Sequence, residues 1–162
     1  MKPHYTLRQA IISALASDLA AAAQAAESAR QTATHKESIA ENKYDTFGLE
    51  ASYLAHGLSI RAEQSQQAIA LYNALPFKNF SNSDTIALTA VVTLLTDNGE
   101  EKVFFIGPEA GGLSFTWQGK NVMLISPKTP LGSKLIGKQV DDSVTIIVAG
   151  KPVNYEIVKL ES

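Results

Sequence analysis

The 162-residue chain reads as an α+β protein, with an N-terminal antiparallel helical hairpin of coiled-coil type at residues 1–76 and a small β-rich domain with one short helix at residues 77–162. Three observations carry this reading. Residues 7–75 are rich in Ala, Gln, Glu and Ser and hold no proline, whereas five of the six prolines and eight of the ten glycines fall at Pro76 or later. Along the first half, small and apolar residues recur at the alternating three- and four-residue steps of a coiled-coil seam. The second half switches to short β-branched runs separated by Gly, Asn and Pro.

Thr6 is placed to cap the first helix ahead of Leu7. The seam then runs through Ile12, Leu15, Leu19, Ala22, Ala26, Ala29 and Ala33. Its outer half is all alanine, so a facing helix can approach closely. The second stripe is Phe47, Ala51, Leu54, Leu58, Ala62, Ser65, Ile69 and Tyr72, with one extra four-residue step where the supercoil should unwind locally. Between the stripes lies Thr34 to Asp45, the least apolar stretch of this half. Arms of nearly equal length on either side predict a projecting hairpin with residues 35–45 at its tip. At 1.5 Å per residue the arm from Leu7 to Ala33 spans roughly 40 Å. A compact bundle is the alternative, but a bundle face is wider than this seam.

In the second half, Ile86 to Thr96 predicts a strand, Asp97-Asn98-Gly99 a turn, and Lys102 to Ile106 the returning strand. Leu113–Trp117 and Val122–Ile125 form another expected pair. Thr129 is placed to cap a short helix over Pro130–Ile136, with Pro130 at its favoured first position and Gly137 closing it. Ser143–Val148 and Val153–Leu160 are the last expected strands.

Composition excludes several classes. The absence of cysteine removes disulfides, thiol nucleophiles and cysteine zinc knuckles. A net charge of −2 argues against a protein that holds nucleic acid chiefly by neutralising phosphates, so any such link should run through a protein partner. No unbroken apolar run is long enough to span a membrane, and the polar start does not read as a secretory signal. A cytoplasmic location is the expectation. No Ser-His-Asp arrangement, phosphate loop or nucleotide fingerprint is visible.

The C-terminal string Thr129-Pro130-Leu131-Gly132, Leu135-Ile136-Gly137-Lys138, Asp142, Val144 and Tyr155-Glu156-Ile157 is similar to the Ser-Pro-Leu-Gly, Leu-Leu-Gly-Lys, Gly-Asp-x-Val and Tyr-x-Ile string of the Gre-type transcript-cleavage factors. Ile106-Gly107-Pro108-Glu109 resembles one of their strand ends, and Glu41-Asn42 matches the Glu-Asn of their acidic loop. Together with the hairpin-then-sheet order, the resemblance covers almost the whole chain. It departs from the family at Ser38, where an aspartate is usual, at Asp141, where glycine is usual, and at Thr129, which replaces serine.

The resemblance implies an FKBP-like C-terminal domain seated on RNA polymerase and a hairpin that enters the polymerase secondary channel. The tip residues directed at the polymerase active site would be Glu37, Ser38, Glu41, Asn42 and Asp45. Glu41, with Glu37, would share the polymerase Mg²⁺ transiently, because Mg²⁺ takes oxygen ligands and keeps several waters that added carboxylates can replace. Thr129, Pro130 and Leu131 match the family's docking loop. Such a protein is at most a cofactor of the polymerase's own RNA cleavage, with no stable cofactor, no small-molecule substrate and no membrane partner. Glu37, Glu41 and Asp45 also fit a merely solvated turn, and Thr129 to Leu131 also fit an ordinary helix start. The departure at Ser38 leaves open an inhibitor acting at the same channel. The rival readings are a prolyl isomerase with Phe104, Phe105, Phe115, Trp117 and Tyr155 around a pocket, and a plain coiled-coil adaptor. His35, His56 and Glu37 are a weaker metal candidate, and Lys36, Lys43 and Arg61 read better as a solvated face than as phosphate contacts.

Overall fold

In a computed structural model, residues 3–39 and 47–162 are described. The element order is α1 (Pro3–Ile39), α2 (Phe47–Ala74), β1 (Val91–Thr96), β2 (Glu101–Ile106), β3 (Ser114–Trp117), β4 (Lys120–Ile125), α3 (Pro130–Leu135), β5 (Ser143–Val148) and β6 (Lys151–Glu161). This is the expected α+β arrangement of a helical hairpin followed by a small sheet with one short helix. The chain divides into two compact units. One joins the part of α1 up to Ala14 to Ala74–Ser162, and the other is Leu15–Asn73. Among the described residues, no helix is long and apolar enough to cross a membrane.

In the Leu15–Asn73 unit, Leu15, Ala22, Ala26, Ala29 and Ala33 of α1 are buried, as the seam predicts. Across from them lie Ala51, Ala55, Ala68 and Tyr72 of α2. Between the arms runs a groove of about 350 Å³ whose walls include Ala23 and Ala26 from α1 and Ala55 and Ala62 from α2. Alanine on both sides lets the two backbones approach closely. One member of the expected stripe is corrected. Leu54 is 58% exposed, and Ala55 occupies the seam instead. An alanine seam this narrow has no room for a leucine knob at that level.

The sheet unit begins with the first turns of α1. Leu7 and Ile11 are fully buried, whereas Ile12 is only half-buried, so the buried stripe here steps by four from Leu7 to Leu15 rather than starting at Ile12. Thr6 and Arg8 show what this segment meets. The Trp117 indole N–H donates to Thr6 Oγ1 at 3.3 Å, and the Arg8 guanidinium lies 4.7 Å from the Phe77 ring centre. Phe77 stacks on Phe105 at 5.7 Å, and Phe105 meets Phe115 edge-on at 6.4 Å. Phe105, Phe115 and Trp117 are buried in these contacts.

The six strands lie in the order β3-β4-β2-β1-β6-β5, with β2–β4 parallel and every other pair antiparallel. Two of the hairpins use two-residue turns with both residues in the left-handed region, Gln118-Gly119 and Ala149-Gly150. That conformation matches the twist of the strands it joins. The strand expected from Ile86 starts only at Val91. Thr89 sits at φ 76 in a turn, and Ile86 instead exchanges backbone hydrogen bonds with Gly137 and Lys138. Ile86 and Ala90 are buried without being part of a strand, while Leu88 between them is 37% exposed. One face of the sheet carries the main core, with Val92, Leu94, Phe104, Ile106, Val144, Tyr155 and Ile157 packed around Leu131 and Leu135 of α3.

Candidate functional site

The segment Ser126–Lys138 shows why the Thr-Pro-Leu-Gly sequence takes the form it does. Thr129 is the N-cap of α3 in extended backbone, and its Oγ1 accepts from the Gly132 N–H at 3.1 Å. The same hydroxyl donates to the Ser126 carbonyl at 2.7 Å, so one side chain fixes both the cap and the loop before it. Serine could make both bonds, which is why the change to threonine is mild. Pro130 occupies the first helical turn, where its missing N–H costs nothing. Leu131 points into the core and is 8% exposed. A Cβ on Gly132 would collide with the Ser126 carbonyl oxygen and crowd Thr129 Oγ1, so that position takes glycine alone. Leu135 is fully buried, and Gly137 at φ 83 turns the chain out of the helix.

Thr129, Pro130 and Leu131 are therefore brought together by the fold, but they do not face the same way. Pro130 is exposed, Thr129 half-buried and Leu131 internal. The outward side of α3 is Pro130, Ser133 and Lys134, continuing to Ile136, which is 39% exposed. Lys134 Nζ donates to the Thr145 carbonyl at 2.6 Å and so ties the helix to β5. Ser133, Lys134 and Ile136 were not among the residues expected from sequence. The signal was available, because with Leu131 and Leu135 four apart and inward, Ser133 and Lys134 fall outside the inward stripe.

The rest of the C-terminal string is mixed, with Asp142 and Glu156 exposed. Val144, Tyr155 and Ile157 are core residues. Asp142 Oδ2 accepts from the Gln139 N–H at 2.9 Å, and its carbonyl accepts from the Ile157 N–H at 2.9 Å. Asp141, which stands where glycine is usual in the resembled pattern, has φ 78. That is the region in which glycine is unstrained and aspartate is among the better-tolerated alternatives.

At the far end of the hairpin, Glu37 and Ser38 lie in the last turn of α1, though nothing of their side chains is described. Glu41, Asn42 and Asp45 lie outside the described residues, as does Lys43. His56 is exposed on α2. Among the described residues, no group of three or more His, Cys, Asp or Glu converges as a metal site.

A helical hairpin ahead of a sheet whose short helix is capped in this way is the two-part architecture of a Gre-type factor. Residues 81–162 match the family described as transcription elongation factor, GreA/GreB, C-terminal, and with half of its length so matched the chain belongs to the GreA/GreB family. Among its relatives, the transcription elongation factor GreA of Thermodesulfovibrio yellowstonii is 37% identical over 81 residues, covering 49% of this chain and 47% of that one. The GreA of Psychromonas ingrahamii is 23% identical over 103 residues, covering 62% and 60%. The chain thus spans about half to three fifths of the length of these relatives. Among solved structures, the GreA factor homolog 1 (Gfh1) of Thermus thermophilus is similar at a TM-score of 0.40 and 21% identity, covering 93% of this chain and 94% of that one.

Proposed function

We propose that the protein is an RNA polymerase-binding regulator of transcription elongation, acting in the cytoplasm, whose helical hairpin enters the polymerase secondary channel. The observation that carries the reading is the family membership of residues 81–162 in a chain that places a helical hairpin ahead of them. On this reading the α3 cap at Thr129, Pro130 and Leu131 forms the docking loop. Pro130 offers the contact surface, while Thr129 and Leu131 hold its shape. The hairpin tip presents Glu41, supported by Glu37, to the polymerase active site. A carboxylate there completes the oxygen shell of a Mg²⁺ and helps activate water for cleavage of backtracked RNA. The chemistry belongs to the polymerase, and the factor supplies a ligand and its placement.

Ser38 favours a second reading. A factor whose tip lacks the second carboxylate at that spacing can occupy the channel without completing the metal shell, and so act as an inhibitor or as a competitor of cleavage factors. Stalled, backtracked complexes assayed for RNA cleavage at several Mg²⁺ concentrations separate the two. Stimulated cleavage that strengthens with Mg²⁺ supports the cofactor role. Slower elongation with no cleavage supports the inhibitor, and no effect of either kind removes both.

A further inference from the structure

The outer face of α2 carries a second coiled-coil-like stripe that none of the described residues covers. The seam toward α1 uses Ala51, Ala55 and Ala62. Away from it, Glu50, Leu54, Gly57 and Arg61 recur at steps of four, three and four, the spacing of a helix–helix interface. Tyr53 and Ile60 flank this stripe. Tyr53 is 70% exposed, Leu54 58% and Ile60 44%, an unusual run of large apolar groups on the surface of one helix. Gly57 costs helix stability and opens a hollow between its larger neighbours. Glu50 and Arg61 are both exposed, and neither has an ion-pair partner among the described residues.

The order of these residues is self-complementary. Glu50 and Leu54 stand as far before the midpoint between Ala55 and His56 as Arg61 and Gly57 stand after it. An antiparallel α2 from a second copy, related by a two-fold axis through that midpoint, therefore sets Leu54 of each copy into the hollow over Gly57 of the other. It also sets Glu50 of each copy opposite Arg61 of the other. We infer that this face of α2 is a homodimer surface, an isologous contact closed by two identical Glu50–Arg61 pairs. Two identical charge pairs fix the antiparallel register and reject the parallel one, which would place Glu50 against Glu50 and Arg61 against Arg61. Only about three turns of helix take part, less than the roughly 800 Å² per partner of a tight complex, so the association is weak and reversible.

Sedimentation equilibrium of the full chain over a range of concentrations and salt is the test. Wild type should show a monomer–dimer equilibrium that weakens with salt. Glu50→Arg and Arg61→Glu should each weaken it by roughly tenfold or more, since each converts both cross-pairs into repulsions. The double exchange Glu50→Arg with Arg61→Glu should restore it. Gly57→Leu should abolish it while helical circular dichroism is kept. The two charged positions are eleven residues apart on one helix and cannot meet within a chain, so rescue by the double exchange has no intramolecular explanation. A monomer at every concentration would overturn the inference, and so would single reversals without effect or a double exchange that fails to restore what the singles lose.

Discussion

Asp141 and Gly132 make opposite demands on the backbone, and each gives a prediction of opposite sign. Asp141 holds a left-handed conformation at φ 78 within the Gln139–Asp142 turn that precedes β5, with its N–H donated to the Ile157 carbonyl at 2.8 Å. Asp141→Gly removes the Cβ from that conformation and should raise stability by about 1 kcal/mol in chemical denaturation, less the extra chain entropy glycine brings to the unfolded state. Gly132→Ala forces a methyl against the Ser126 carbonyl and the capping hydroxyl of Thr129. It should cost on the order of 3 kcal/mol, with loss of the α3 cap visible as faster amide exchange at Gly132 and Ser133. If Asp141→Gly destabilises or Gly132→Ala is neutral, the backbone reading of this segment is wrong. Neither position looks special by residue type alone. The aspartate was legible only as a departure from a pattern, and its cause is a torsion angle.

At the scale of the element, α3 separates two roles that lie side by side in sequence. Leu131 is internal and Pro130 external, so charging each should fail differently. Leu131→Asp buries an unpaired carboxylate in the core and should unfold or strongly destabilise the sheet domain by several kcal/mol, which makes it useless as a test of docking. Pro130→Asp places a carboxylate in the first turn of a helix, where it is tolerated. A Pro130→Asp variant with an unchanged melting transition and weaker polymerase binding is the expected outcome, whereas wild-type binding would move the contact elsewhere on the domain. The hairpin shows how far spacing alone reaches. From Leu15 to Ala33 the three-four rhythm placed the seam correctly, with Ala22, Ala26, Ala29 and Ala33 buried while Ala20, Ala21, Ala23 and Ala25 are exposed. It failed at Ile12, where the first turns of α1 serve the sheet rather than α2. It failed again at Leu54, where the larger residue looked like the better seam member although the narrow seam selected Ala55. Strand positions were legible from β-branched runs, but Ile86–Ala90 shows that a largely apolar run need not be extended, since Thr89 turns the chain at φ 76.

For the whole molecule, the sheet domain carries the family relationship, and the tip of the hairpin carries the question of what the protein does there. Most of the recognisable C-terminal string is core, cap or turn, so it reports the fold and only through Pro130 and its neighbours a surface. The functional distinction rests on residues 37–45, where spacing supplies three carboxylates and the resembled pattern asks for one at Ser38. If the factor lends Mg²⁺ a ligand, Glu41→Gln should abolish stimulated cleavage and leave binding nearly intact, since the amide keeps the shape and loses the charge. Glu37→Gln should cost less, and Ser38→Asp should raise cleavage by supplying the missing carboxylate. Equal cleavage by wild type and Glu41→Gln would release the tip from that role. Every one of these effects presupposes the partner. The most direct measurement is therefore equilibrium binding of the purified chain to RNA polymerase core enzyme from its own cells, in competition with a GreA protein. Saturable binding that GreA displaces is the expected result, and a chain that fails to bind, or binds without being displaced, would contradict a polymerase-channel function.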